Sequence, residues 1–132
     1  KAGINSEEAR RKLYNYVATK NKDFNMIVSN ISILAHEAFS TIPNENERKN
    51  TIDREAIQQL IRSTPQTTSM ELNSSFNRLL RRLGKAPTLD QLVNANWDKL
   101  EIINADIRAN GANLRDNHQM RARKDFGQKY FY

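Results

Sequence analysis

The chain has 132 residues, 38% of them hydrophobic, with 21 Lys and Arg against 15 Asp and Glu and a formal net charge of +6. This length corresponds to one domain, and no apolar run approaches the roughly 20 residues that a bilayer requires, so we expect neither a membrane span nor a signal peptide. The absence of cysteine excludes disulfides, thiolate metal sites and cysteine catalysis, while the positive surplus is typical of proteins that bind nucleic acid, anionic membrane or acidic proteins.

Hydrophobic periodicity predicts helices throughout the chain, and no stretch alternates with the period of a strand. The first predicted helix covers residues 7–18, with Ser6 as its N-cap. The second covers residues 23–39, where apolar side chains recur at steps of three and four residues and form a single stripe. His36 falls outside that stripe, so we expect it at the surface.

Polar segments separate the next two predicted helices. Residues 43–51 and 63–69 have the composition of loops. Between them, the third predicted helix covers residues 53–62. The fourth covers residues 70–83, and Gly84 is well placed as its C-terminal cap.

The fifth predicted helix covers residues 88–110 and has the clearest start signal. It follows a proline, and Thr88 and Gln91 have the spacing of a capping box. Gly111 is expected to end it. Apolar residues with helical spacing predict its buried face, and Trp97 lies next to them.

The predicted fold class is therefore all-α, a helical bundle of about four to five helices with an N-terminal helical arm. Residues 1–42 would form the arm and the second helix, and residues 43–132 a C-terminal helical bundle with a basic tail, within a single domain overall. The tail closes with Tyr130-Phe131-Tyr132. The alternatives for it are a frayed end, contact with a lipid interface, or docking into a neighbouring subunit, which we favour.

The fourth predicted helix carries two sets of residues with the same i, i+3, i+4, i+7 spacing. The apolar set is Phe76, Leu79, Leu80 and Leu83, and the basic set is Arg78, Arg81, Arg82 and Lys85. At about 100° per residue, the two sets lie on nearly opposite sides of the helix. The basic side predicts phosphate binding, because the guanidinium fork matches a phosphate. The alternative is that the aliphatic parts of these Arg and Lys side chains only cover the edges of the core, with their charged groups in solvent.

Two further basic clusters suggest a distributed phosphate-binding surface, which would bind without sequence preference and with strong salt dependence. Taken singly, the pattern of each cluster favours a solvated face over a binding site. The candidate nucleic-acid-binding residues in these clusters are Arg10, Arg11, Lys12, Lys20 and Lys22 near the N-terminus, and Arg121, Arg123 and Lys124 in the tail.

The residues that usually carry catalysis are missing or scattered. His36 and His118 are the only histidines, and neither has metal-ligand spacing. The four glycines do not form a phosphate-cradling loop, and the adjacent Glu7 and Glu8 are explained by a helix start. We expect no catalytic residue, no metal and no cofactor, and therefore no enzyme.

Residues 82–93 read Arg-Leu-Gly-Lys-Ala-Pro-Thr-Leu-Asp-Gln-Leu-Val. This stretch resembles a segment of the major coat proteins of filamentous archaeal viruses, the rudiviruses and lipothrixviruses. The shared pattern is a basic residue, an aliphatic residue, Gly, two variable positions, Pro and an apolar-spaced helix start. It is carried by Arg82, Leu83, Gly84, Pro87, Leu89, Leu92 and Val93. Residues 111–113 resemble a second short segment of those proteins.

The resemblance implies coat subunits that pair as dimers, with themselves or with a paralogous coat protein, and stack along linear double-stranded DNA. The DNA would be wrapped in A form inside a helical filament, through contacts to phosphates and sugars. A lipid envelope lies outside the filament in lipothrixviruses. The implied location is the virion, and the host cytoplasm during assembly. Residues 1–22 depart from the Ser-, Arg- and Pro-rich rudivirus start, which favours the lipothrixvirus type.

Three hypotheses of function remain from the sequence. The first is a virion coat protein that binds duplex DNA and polymerises on it. The second is a basic helical adaptor or scaffold that binds an acidic protein. The third is a regulatory DNA-binding protein of plasmid or phage origin, which would prefer one operator over random DNA.

Overall fold

The computed structural model describes residues 5–112 and is 76% helical, with no strand in that range. The predicted all-α helical bundle is therefore confirmed. A single parallel β-bridge joins Thr19 to Ala112. The helices are α1 (Ser6–Tyr14), α2 (Phe24–Ala38), α3 (Glu45–Ser63), α4 (Gln66–Leu83), α5 (Leu89–Ala95), a short 3-10 helix (Trp97–Lys99) and α6 (Leu100–Asn110).

One hydrophobic core joins all six α-helices. The stripe predicted for the second helix is confirmed, with Phe24, Ile27 and Ile31 fully buried. The N-terminal arm is not confirmed, because α1 packs against α2 and buries Ala9 and Leu13. Among the described helices, none combines the length and the apolar character that crossing a membrane would need.

The first and third helices begin earlier than predicted, because asparagines cap them. The Asn5 side chain accepts hydrogen bonds from Glu7 and Glu8, so Asn5, and not Ser6, is the N-cap of α1. The Asn44 side chain caps α3 in the same way. The loop predicted at residues 43–51 is therefore wrong, since most of this polar segment is the solvent-facing first half of α3.

The loop predicted at residues 63–69 is also wrong, because α4 begins at Gln66. Pro65 precedes the helix and supplies no side-chain cap. The cap comes from α6, where Asp106 accepts hydrogen bonds from the Thr68 backbone N–H at 3.0 Å and from the Thr68 hydroxyl at 2.6 Å. A cap from a residue 38 positions away leaves no local sequence signal.

The long fifth helix is broken in two at Asn96, which corrects the prediction of one helix over residues 88–110. Asn96 is 1% exposed, and its amide nitrogen donates to the Leu92 carbonyl at 2.9 Å. Its amide oxygen accepts from the Ser75 hydroxyl of α4 at 3.0 Å. The side chain competes with the backbone ladder and turns the chain through the 3-10 helix. Trp97, expected beside the buried stripe, is 58% exposed.

Both predicted helix-ending glycines hold those positions, for different physical reasons. Gly84 has φ of 73°, the left-handed conformation of a C-terminal cap. Gly111 ends α6 in an extended conformation, and a Cβ there would lie 2.6 Å from the Ile107 carbonyl oxygen. That close approach lets Ala112 exchange backbone hydrogen bonds with Ala18 and Lys20.

The cap that Asp106 supplies to α4 should stabilise the fold in a pH-dependent way. Burial raises the pKa of Asp106, but the hydrogen bonds from Thr68 and Asn110 outweigh burial and lower it below the ordinary 3.8. Asp106→Ala is expected to reduce the free energy of unfolding by about 1–3 kcal/mol, because it leaves the Thr68 groups without a partner. Urea unfolding followed by circular dichroism measures this change.

A carboxyl group with a lowered folded-state pKa contributes stability above its unfolded pKa and loses it as the pH falls through the folded pKa. The difference between wild type and Asp106→Ala should therefore be full at neutral pH and shrink below 3.8. Asp98→Ala, which removes an exposed carboxylate from the 3-10 helix, is the control and should be nearly neutral. Equal losses in both variants would contradict the capping role.

Candidate nucleic-acid interface

The buried face of α4 differs from the predicted one. Leu79 is buried, but Leu80 is 40% exposed, and Phe76 and Leu83 are only half-buried. The buried stripe of the helix is Thr68, Leu72, Ser75 and Leu79. The buried face of α4 is rotated from the predicted one because the small polar residues Thr68 and Ser75, which the apolar pattern omitted, pack towards α6 and the end of α5. At about 100° per residue, Arg82 and Arg78 consequently flank the buried stripe, while Arg81 lies nearly opposite to it.

Three of the four predicted basic residues meet along a groove between α4 and α5. Arg78, Arg81 and Arg82 lie on the α4 wall, and the groove has a volume of about 870 Å³. Its remaining lining residues are Ser75, Leu79, Gln91, Asn94 and Ala95. The only charged residues on the lining are these three arginines, so the groove is suited to an anion.

Arg78 is held in place by its own helix. Its guanidinium donates to the Ser74 and Ser75 hydroxyls, both at 3.0 Å, and lies 3.8 Å from a carboxylate oxygen of Glu71. Glu71 also accepts a hydrogen bond from Lys99 of the 3-10 helix. The Arg78 side chain is still 52% exposed, so it is oriented without being withdrawn from solvent.

Arg81 and Arg82 are exposed and make no ion pair or side-chain hydrogen bond with any residue in the range 5–112. The two residues are adjacent in the chain and close to Arg78. Their positive charges are therefore not compensated by an acidic side chain of the described residues. Such unpaired guanidinium groups are the strongest candidates for anion binding in the described part of the chain.

Lys85, the fourth member of the predicted set, does not lie with the arginines. The helix ends at Leu83 and the chain turns through Gly84, which brings Lys85 to a second cavity of about 490 Å³. That cavity lies between α3 and α4 and contains Asp53 and Arg54 on its lining. The prediction that Lys85 continues the basic row of α4 is therefore wrong.

The N-terminal basic residues are partly engaged in contacts within the chain. Arg10 donates to the Ala38 carbonyl at the end of α2 at 3.1 Å, where a cation complements the helix terminus. Arg11 and Lys12 lie 3.9 Å and 3.5 Å from the Glu8 carboxylate. These ion pairs are exposed and weak, so Arg11 and Lys12 remain accessible to an external anion.

Lys20 and Lys22 lie in the segment between α1 and α2, away from the row of Arg10 to Lys12 along the chain. Lys22 lies over the Tyr16 ring, 5.0 Å from its centroid, and its ammonium is 3.5 Å from the Tyr16 hydroxyl. The Lys20 backbone N–H donates to Ala112, which places the start of the tail beside this segment. Arg121, Arg123 and Lys124, like His118 and Tyr130-Phe131-Tyr132, lie outside the described residues.

The residues that sequence reasoning missed are Gln91 and Asn94, which form the α5 wall of the groove. Both are exposed and lie three residues apart on one face of α5. Only the packing of α5 beside the arginines gives them a candidate role. Within residues 5–112, no cluster of His, Asp and Glu could hold a metal ion, and His36 is exposed as predicted.

Comparison with family models, with curated proteins and with solved structures yields no match to this chain.

The contacts of Glu71 make a prediction about its titration. The hydrogen bond from Lys99 is the largest cause that holds the pKa of Glu71 below its ordinary 4.5, and the charges of Lys99 and Arg78 add to it. Lys99→Met should therefore raise the pKa of Glu71 towards 4.5, as measured by NMR titration of the side-chain carboxyl carbon. Lys49→Met, on the exposed face of α3, should leave it unchanged. If the pKa of Glu71 is the same in Lys99→Met as in wild type, the Glu71–Lys99 pair does not form in solution.

Proposed function

We propose that this protein is a structural nucleoprotein, a coat subunit that binds linear double-stranded DNA through its phosphates and polymerises on it into a helical filament. Its partners would be the DNA and further copies of itself or of a paralogous coat protein. Lipid of a viral envelope would lie outside the filament. Its place would be the virion, after assembly in the host cytoplasm.

The observation that carries the proposal is the arginine groove, defined as the cavity between α4 and α5 with Arg78, Arg81 and Arg82 on one wall. Three guanidinium groups within five residues, two of them without an acidic partner in the described chain, form a surface suited to closely spaced phosphates. Phosphate contacts position a protein on DNA without reading its sequence, which is what a coat protein requires.

Two further features support the coat hypothesis over the other two. Residues 82–93, which contribute Arg82 and Gln91 to the groove, are the stretch that resembles the coat proteins of filamentous archaeal viruses. The remaining basic residues, including Arg11 and Lys12 on α1, spread positive charge over other helices. A distributed basic surface suits a duplex that runs past many subunits better than a single operator or a single acidic peptide.

The direct test is DNA affinity after neutralising the unpaired arginines. Arg81→Gln/Arg82→Gln should weaken binding to a fluorescein-labelled random duplex by more than about tenfold, measured by fluorescence anisotropy at low salt. Each lost phosphate contact should also reduce the slope of log K against log salt by about 0.9, so the double variant loses about 1.8.

Lys49→Gln/Arg108→Gln is the matched control, because it removes the same charge from exposed positions on α3 and α6. It should bind nearly as wild type does. Equal weakening in both double variants would mean that binding depends only on net charge, and the arginine groove would then not be the site. A wild-type protein that does not bind random duplex at low salt would refute the DNA hypothesis and favour the adaptor.

Filament formation is the second test, because a coat protein must polymerise as well as bind. Negative-stain microscopy of the protein with linear duplex should show filaments of uniform width whose length follows that of the DNA. Arg81→Gln/Arg82→Gln should abolish them at a salt concentration where wild type forms them. Isolated complexes on one preferred sequence, without filaments, would instead identify a regulatory DNA-binding protein.

A further inference from the structure

Gln91 lies in the first turn of α5, on the wall of the arginine groove that faces α4. It forms the predicted capping box with Thr88, whose hydroxyl accepts from the Gln91 backbone N–H at 3.1 Å. The Thr88 backbone N–H in turn donates to Oε1 of Gln91 at 2.9 Å. The side chain of Gln91 is therefore held in one orientation by its own helix start.

This contact determines which end of the carboxamide is available to a ligand. A backbone N–H can only donate, so the atom that faces Thr88 must be the Gln91 oxygen. The Nε2 amino group is the other terminus, and no acceptor within residues 5–112 bonds to it. Gln91 thus presents two N–H donors that have no acceptor within residues 5–112, at the edge of a groove lined by three arginines, while its oxygen accepts from Thr88.

We infer that Gln91 is a ligand-binding residue of the arginine groove, whose amide group donates to an oxygen of the same phosphodiester that Arg78, Arg81 and Arg82 neutralise. This inference rests on the proposed function and names the second wall of that site. A phosphodiester oxygen accepts hydrogen bonds, so it is complementary to the Gln91 amino group and to the guanidinium groups, all of which donate. Because the capping box already orders Gln91, little side-chain entropy remains to be lost on binding.

Asn94 extends the same wall. It follows Gln91 by three residues, is exposed, and lines the groove beside Ala95. The α5 wall therefore presents two carboxamides at neighbouring positions of one helix face, opposite the guanidinium groups of α4. The ligand class is a sugar-phosphate backbone held between a cationic wall and a neutral, hydrogen-bonding wall.

Two substitutions at Gln91 separate its donor role from its role in the cap. Gln91→Glu retains the capping box, in which Glu is as suitable as Gln, but replaces the donor with a carboxylate. Gln91→Met removes the donor without adding charge but also removes the oxygen that accepts from Thr88, so only Gln91→Glu leaves the cap intact. We expect Gln91→Glu to weaken binding of the labelled random duplex by more than about tenfold, and Gln91→Met by about threefold to tenfold. Thermal unfolding should show that both variants remain folded.

Gln66→Glu and Gln66→Met are the matched controls, because Gln66 is exposed in the first turn of the same helix that carries the arginines. It lies about 20 Å along α4 from Arg81, beyond the Debye length of about 10 Å at 0.1 M salt. Both controls should bind as wild type does.

The outcomes distinguish this inference from the proposed function. If Gln91→Met binds as wild type does while Arg81→Gln/Arg82→Gln is impaired, Gln91 is not a ligand and the DNA function stands. If the Gln66 and Gln91 variants weaken binding equally, the weakening comes from a change in net charge or in stability and not from a lost contact at Gln91. The inference is then wrong. If Arg81→Gln/Arg82→Gln binds like wild type, the groove is not the DNA site and both proposals fail together.

Discussion

The buried hydrogen bond from Ser75 to Asn96 is the contact on which the rest of the candidate site depends. Asn96 binds back to the Leu92 carbonyl and so breaks what would otherwise be one long helix. The same side chain accepts from Ser75, which holds the end of α5 against α4. Ser75 in turn accepts from Arg78, so one chain of hydrogen bonds runs from the helix break to the groove wall.

The electrostatics of the groove follow from which charges this packing leaves unpaired. Glu71 is engaged by Lys99 and draws Arg78 towards the 3-10 helix, while Arg81 and Arg82 lack an acidic partner in the described range. Like charges this close on a helix repel one another, and a bound anion would relieve that repulsion. The proposed phosphate ligand thus offsets the repulsion between the arginine charges that is present in the free protein. The neutral α5 wall adds hydrogen-bond donors without adding to the repulsion.

Three helix starts in this bundle are bonded by side chains from other helices, in addition to local caps at two of them. Asp106 of α6 caps α4, Asp53 of α3 accepts from the backbone N–H of Leu89, and Asn104 of α6 accepts from that of Phe24. Each contact satisfies an orphan N–H group and also fixes the position of one helix against another. In these three contacts capping and tertiary packing are the same interaction, and those at Thr68 and Leu89 fix the starts of the two helices that form the groove.

Local sequence patterns were enough to predict the all-helical class, the buried stripe of α2, the capping box of Thr88, and the two glycines that end α4 and α6, because each depends on residues close together in the chain. They also identified Arg78, Arg81 and Arg82 as one cluster. Only the tertiary structure separated Lys85 from them, turned the buried face of α4, broke the last helix at Asn96 and placed Gln91 beside the arginines. The physical reason is that buried polar contacts such as Ser75 to Asn96 join residues 21 positions apart, and hydrophobic periodicity carries no information about them.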